Sequence, residues 1–237
     1  MTAASRYDAP PGPETEFMPG SRGRVLRNLA GVTRKREIDQ LEFEALLRVQ
    51  LLYEETKIAP DTRFTAALLC QMHRDWLGEI YEWAGRYRTV NLSKGGFLWP
   101  PANLVSSHMD AFSDGLLREC TPCAGANLDE VADKIARAHG ELLLIHPFRE
   151  GNGRIARWLA DLMALQAGFP KPDWRLGAAK APQRRENYLT AVRKAYLADY
   201  RLLTDFVREA VERGTPAPTR SESGTRSRRA PSKRDES

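Results

Sequence analysis

The sequence predicts an all-α domain carrying a single β-hairpin, and three observations carry that prediction. Most of the chain places apolar residues at spacings of three and four, the period of an amphipathic helix. One short region near residue 90 has strand-like composition around a glycine turn. A content of 42% hydrophobic and 28% charged residues over 237 residues is enough for one sizeable core. No apolar run approaches the roughly 20 residues needed to span a bilayer, so a cytoplasmic protein with no membrane partner is expected.

Three segments follow from composition: a flexible N-terminal arm over 1–34, a folded domain over 35–213 and a basic disordered tail over 214–237. The first twenty residues are proline-rich, with no apolar core of a secretory signal. The next stretch is basic and turn-rich, with Val25, Leu26 and Leu29 available to pack on the body. A first helix is predicted over 36–56, from Ile38, Leu41, Ala45, Val49, Leu52 and Tyr53. A second is predicted over 62–80, from Phe64, Leu68, Met72, Trp76 and Ile80, with His73 beside the stripe as a hydrogen-bonding residue. Residues 88–101 then read as two short strands around Lys94-Gly95-Gly96. A lone hairpin is marginal by itself; its open edge could pair an extended segment of another protein. Helices resume over 102–118 and 128–145. The second of these has a stripe of Leu128, Val131, Ile135, Ala138, Leu142 and Ile145, and it stops at His146 because Pro147 disfavours helical geometry before it. Further helices are predicted over 154–167, 182–197 and 199–213, the first stopped by Gly168 and Pro170.

The formal charge of +5 resides at the ends: residues 1–40 carry seven basic against five acidic residues, and 214–237 six against three. The body is neutral, so nucleic acid is not expected as a partner. Cys120-Thr121-Pro122-Cys123 has C-x-x-C spacing but lacks a second ligand pair, and reads as a turn rather than a redox or zinc site.

Chemistry concentrates in His146-Pro147-Phe148-Arg149-Glu150-Gly151-Asn152-Gly153-Arg154-Ile155-Ala156-Arg157. A histidine at a helix end suits proton abstraction near neutral pH. Gly151-Asn152-Gly153 at the next helix start lets backbone N–H groups turn inward as an anion nest, aided by the helix dipole. Arg154 and Arg157, at i and i+3, project from adjoining positions and can grip successive phosphates. Glu150 is placed to hold Mg²⁺ together with phosphate oxygens. Phe148 reads as a core residue.

That stretch matches in full the motif of the Fic family, H-x-F-x-[D/E]-G-N-G-R-x-x-R, and the chain resembles that family over roughly residues 35–210. Residues 81–88 are similar to the family's lead into its hairpin "flap", and Asn91, Leu92, Ser93, Lys94, Gly95, Gly96 and Phe97 to the flap itself. The resemblance implies a protein adenylyltransferase moving AMP from ATP to a Ser, Thr or Tyr hydroxyl of a target protein. His146 would deprotonate that hydroxyl, and Glu150 would bind Mg²⁺. Asn152, with the backbone of Gly151 and Gly153, would stabilise the α-phosphate. Arg154 would hold the β-phosphate and Arg157 the γ-phosphate, while Asn187 and Tyr188 would line the adenine pocket. Transfer of another nucleotidyl or phosphate-linked group, or a catalytically silent binding module, are the alternatives. The related Doc-type kinases carry lysine where Gly153 stands, which argues for AMP transfer.

Many members of the family carry an inhibitory helix, [S/T]-x-x-x-E-[G/N], whose glutamate pairs with the second motif arginine. Thr33 to Glu37 is followed by Ile38, and Ser232 to Glu236 by Ser237; neither completes the pattern. A toxin restrained by a small separate antitoxin that supplies the glutamate is the expectation.

Overall fold

The computed structural model describes residues 12–176 and 182–214; residues 1–11 and most of the predicted basic tail lie outside them. The molecule is built around α5 (Leu128–Ile145). The Asn127 side chain accepts the Glu130 N–H at 3.0 Å and caps its start. Its buried residues run round most of the cylinder, from Val131, Ala132 and Ile135 to Leu142, Leu143 and Ile145, so it must be wrapped on several sides. The helices α6 (Asn152–Gln166), α7 (Pro182–Ala195) and α8 (Arg201–Glu212) do this, with α3 (Val105–Phe112) on another flank.

The remaining elements depart from the predicted spans where local chemistry intervenes. The first helix, α1 (Lys35–Leu52), passes into a π-helical turn, Tyr53–Lys57. The second, α2 (Ala66–Leu77), starts later than 62 because Thr65 accepts the Leu68 N–H and caps it. Phe64 and Ile80, outside α2, are still buried. The helix predicted over 102–118 is broken into a 3₁₀ turn (Ala102–Leu104), α3, a π-helical turn (Ser113–Leu117) and α4 (Arg118–Cys120). Gly115 leaves helical geometry inside that π-helical turn, at φ −98° and ψ −105°. Cys120 and Cys123 are buried free thiols, and burial pushes the Cys123 thiol up to about 11, so it stays protonated and unreactive.

Most of the predicted stripe of the first helix is buried, including Ile38, Ala45, Val49 and Tyr53, with two differences. Ile38, Glu42, Ala45 and Val49 face inward, while Leu52 is 44% exposed. A glutamate thus occupies a core position, where Arg154 pairs with it. The arm is also more tied down than its composition suggests. Within residues 12–34, Val25 and Leu26 are buried, Phe17 bridges Leu26, and the Leu29 N–H donates to the Ile80 carbonyl at 2.8 Å.

The hairpin consists of β1 (Ser93–Lys94) and β2 (Phe97–Leu98), antiparallel, with Ser93 opposite Leu98 and Lys94 opposite Phe97. Gly95 and Gly96 have φ of +58° and +82°, the left-handed pair that a two-residue turn demands and that glycine adopts without strain. The neck is fastened by the Asn91 side chain, which accepts the Ala102 N–H at 2.9 Å, and by the Trp99 N–H donating to the Leu92 carbonyl at 3.1 Å. Ser93, Lys94, Gly95 and Gly96 are exposed, and Phe97 is half-buried.

Candidate active site

The end of α5 places the histidine. His146 caps the helix in left-handed conformation, φ +53°, with its N–H still bonded to the Leu142 carbonyl. The next backbone step therefore turns sharply into the loop. His146 Nδ1 lies 3.1 Å from the Leu143 carbonyl oxygen. A carbonyl can only accept, so the ring proton sits on Nδ1 and Nε2 keeps its lone pair. Burial, reinforced by the positive charges of Arg88 and Lys94, lowers its pKa to about 4, and the ring is neutral at pH 7.

The loop is closed by its own side chains. Phe148 is fully buried and stacks on the His73 ring at 3.9 Å. His73 Nδ1 accepts the Gly85 N–H at 2.9 Å, which puts the ring proton on Nε2, where it donates to the Glu150 carbonyl at 3.0 Å. Gly151 caps α6 at φ +86°, and a Cβ there would lie 2.7 Å from the Trp76 ring. Only glycine fits both the conformation and the space. Asn152 is 3% exposed; its Oδ1 accepts the Phe148 N–H at 2.9 Å and its Nδ2 donates to the Phe148 carbonyl at 2.7 Å. These two hydrogen bonds hold the loop in shape. At the start of α6 the Arg154 and Ile155 N–H groups donate to the Gly151 carbonyl at 2.9 Å each, which leaves the N–H groups of Asn152 and Gly153 for an anion.

Arg154 rests on the Trp76 ring at 4.5 Å and pairs with Glu42 of α1 at 2.7 Å. Glu42 also accepts the Tyr81 hydroxyl at 2.6 Å, and its backbone oxygen accepts the Trp76 indole N–H at 2.8 Å. This explains the carboxylate on the inner face of α1: it is paired and hydrogen-bonded. Arg157 makes no ion pair among the described residues; its guanidinium bonds to the Tyr188 hydroxyl, which lies 2.8 Å from His139 Nε2. Tyr188 is 5% exposed, so it supports Arg157 from behind and its ring has no open face for adenine. Asn187 is exposed and bonds to Gln183 one turn back on α7.

Glu150 is about half exposed, with Arg149 3.7 Å away. Among the described residues no group of three or more His, Cys, Asp or Glu side chains could cage a metal. One exposed carboxylate fits a Mg²⁺ that keeps waters and arrives with substrate phosphates.

Several residues that shape the site had no sequence signal. Arg88 is 2% exposed and donates to four carbonyls: His146 at 2.7 Å, Val90 at 2.9 Å, Pro100 at 2.7 Å and Ile145 at 3.4 Å. Its own N–H donates to Pro147 at 2.8 Å. Glu14 of the arm accepts the Thr89 N–H at 2.9 Å on its carboxylate and the Arg149 Nε–H at 2.6 Å on its carbonyl. Trp99 stacks on His146. Their partners lie far off in the chain, and no local pattern marks them.

Burial lowers His73 and His146 to about 4 and His139 to about 3. These rings hold fewer protons folded than unfolded between those values and the ordinary 6.5, so unfolding takes up protons there. Stability is therefore present above about pH 6.5 and is lost as the pH falls through the window toward 4. Asp161, raised to about 7 by burial, acts in the opposite direction over the same range and offsets one ring. The excess of two rings lowers stability by about 2 kcal/mol between pH 7 and pH 5.5. Urea melts at pH 7 and pH 5.5 are expected to differ by about that amount, and equal stabilities would refute the buried neutral assignments.

Residues 63–164, from the approach to α2 through most of α6, match the sequence model of the Fic/DOC family. The chain carries a domain of the Fic/DOC family. It is 28% identical over 170 residues to the protein adenylyltransferase VbhT of Bartonella schoenbuchensis, a match covering 71% of this chain and 34% of VbhT. It is 28% identical over 197 residues to the probable protein adenylyltransferase y4lH of Sinorhizobium fredii, covering 79% of this chain and 91% of that protein. The chain thus spans about a third of VbhT and most of y4lH. In fold it is similar to the crystal structure of the BepC protein of Bartonella tribocorum with bound AMPPNP. The TM-score is 0.67 at 18% identity, over 83% of this chain and 96% of that one. No helix of the described residues is long and apolar enough to cross a membrane.

Proposed function

We propose that this chain is a protein adenylyltransferase that moves AMP from ATP to a Ser, Thr or Tyr hydroxyl of a target protein in the cytoplasm. The observation that carries the reading is the His146 ring, neutral and protonated on Nδ1, one loop away from an anion-binding helix start bearing two arginines. The relatives named protein adenylyltransferase and a neighbour crystallised with AMPPNP support the same chemistry.

In this reading a target segment pairs with the edge of the hairpin and presents its hydroxyl. His146 Nε2 takes the hydroxyl proton. The target oxygen bonds to the α-phosphorus as the bond to the bridging oxygen breaks, and pyrophosphate leaves with the electron pair. The N–H groups at the start of α6 receive the charge that builds on the α-phosphate. Arg154, with one edge of its fork held by Glu42, offers its remaining N–H groups to the β-phosphate. Arg157, oriented by Tyr188, reaches the γ-phosphate. Mg²⁺ held by Glu150 and phosphate oxygens would neutralise charge on the polyphosphate.

Restraint is assigned to a separate antitoxin. Arg157 forms no ion pair among the described residues, although its charge acts on the Asp161 carboxylate, and Glu37 is exposed and paired with Arg34. Glu236 lies outside the described residues. The purified chain is incubated with a lysate and ATP labelled at either the α- or the γ-phosphate. Label from the α-position alone should remain covalently on protein, and expression should arrest growth unless a neighbouring small open reading frame is co-expressed. Label retained only from the γ-position would indicate a kinase, and none from either position a silent binding module.

A further inference from the structure

The imidazole of His146 is held from two sides, and the second holder belongs to the hairpin. The Trp99 ring lies against it with centroids 4.0 Å apart and an interplanar angle of 27°. The Trp99 indole N–H donates to the Leu143 carbonyl at 3.1 Å, the same oxygen that fixes His146 Nδ1 at 3.1 Å. A third donor, the Tyr196 hydroxyl, reaches that oxygen at 3.2 Å. Phe97 of β2 joins the cluster, edge-on to Trp99 at 5.4 Å and tilted against Tyr196 at 4.8 Å. The Trp99 backbone N–H meanwhile closes the hairpin neck on Leu92.

We infer that Trp99 is a positioning residue, which locks the His146 ring in its Nδ1–H orientation and ties that orientation to the seat of the hairpin. A histidine at a helix C-cap has a free side-chain torsion, and one hydrogen bond to Leu143 leaves the ring able to turn over. A flat aromatic surface at stacking distance removes that freedom and keeps water off one face. The indole N–H also anchors Trp99 to the carbonyl that selects the tautomer, so ring, carbonyl and hairpin move as one unit. A target strand added to β2 would press on Phe97, and through it on Trp99, before reaching His146. No other aromatic ring stacks on His146 among the described residues.

This rests on the reading of His146 as the proton acceptor, and the test separates the two. Imidazole nitrogens of the full-length chain are observed by ¹H–¹⁵N correlation at pH 7, with His146 assigned by its loss in His146→Asn. The wild type should give the Nδ1–H tautomer, and Trp99→Leu a mixture of both. Trp99→Met is made in parallel, because its flexible chain fills the space should the leucine variant fail to fold. In the transfer assay these variants should lose about 10- to 100-fold in kcat with KM for ATP unchanged, and Trp99→Phe, which can still stack, should recover most of it. An unaltered tautomer in a folded Leu or Met variant overturns the inference. So does a rate loss that appears equally in KM for ATP, or that Trp99→Phe fails to rescue. A shifted tautomer in a protein that transfers no AMP upholds Trp99 as the holder of the ring and defeats the adenylyltransferase reading alone.

Discussion

His146→Asn is expected to lower AMP transfer by about 10²–10⁴-fold, the usual contribution of a well-placed general base. Asparagine is the informative replacement. Position 146 has φ +53°, and asparagine tolerates left-handed geometry better than other non-glycine residues. The helix cap, with its N–H on Leu142, should therefore survive. What disappears is the Nε2 lone pair and the stacked contact with Trp99, so stability should fall by no more than about 1.5 kcal/mol. Affinity for ATP should stay close to wild type, because in the proposed mechanism His146 meets the hydroxyl and not the phosphates. Transfer within tenfold of wild type, with the fold intact by circular dichroism, would remove His146 from the reaction. The same variant should also flatten the acid-side stability slope by roughly half, since it deletes one of the two unbalanced rings.

Arg88→Met should be the most destabilising single change near the site, at about 3–5 kcal/mol in urea denaturation. Methionine fills much of the same volume, so lost packing is not the main term. The loss comes from four carbonyls, buried at Val90 and Ile145 and part-buried at His146 and Pro100, which would be left short of a donor. Each unsatisfied acceptor costs about 1–3 kcal/mol before relaxation. Burial lowers the Arg88 pKa to about 10, which still leaves it charged at pH 7. Its charge faces carbonyl dipoles, and the Glu14 carboxylate opposes the shift. Arg88→Lys should recover under half of the loss, because a single ammonium cannot span carbonyls on both the hairpin side and the α5 side. A cost below about 1 kcal/mol for Arg88→Met would mean that water replaces the guanidinium without penalty.

The two variants probe parts of the site that differ in how they appear in the sequence. His146, Glu150, Arg154 and Arg157 share one loop-and-helix unit whose geometry follows from local rules. A proline stops one helix, a glycine at positive φ starts the next, and i,i+3 spacing sets the arginines side by side. Chemistry encoded within twelve consecutive residues is legible without a fold. Phe148 was legible for the same reason, as the apolar position of the loop. Asn152 was legible as a residue type, while its bonds to the loop backbone were not. The sequence put an amide at the anion nest, and tertiary packing turned it inward onto the Phe148 backbone. Tyr188 also lay in a plain helical stripe, and only the neighbouring α5 and α6 reveal it as a brace between His139 and Arg157.

By itself the sequence determined the helical body, the lone glycine-turn hairpin and the phosphate-and-base motif, because periodicity, turn chemistry and helix termini act over a few residues. Tertiary structure alone decided which charges are buried. Glu42 reads as a surface residue until Arg154, Tyr81 and Trp76 surround it, and Arg88 reads as a strand-flanking cation until four carbonyls converge on it. Trp99 reads as hairpin until it lies on His146. A buried charge is tolerable only when its partners are present, and those partners come from elements that are distant in the chain.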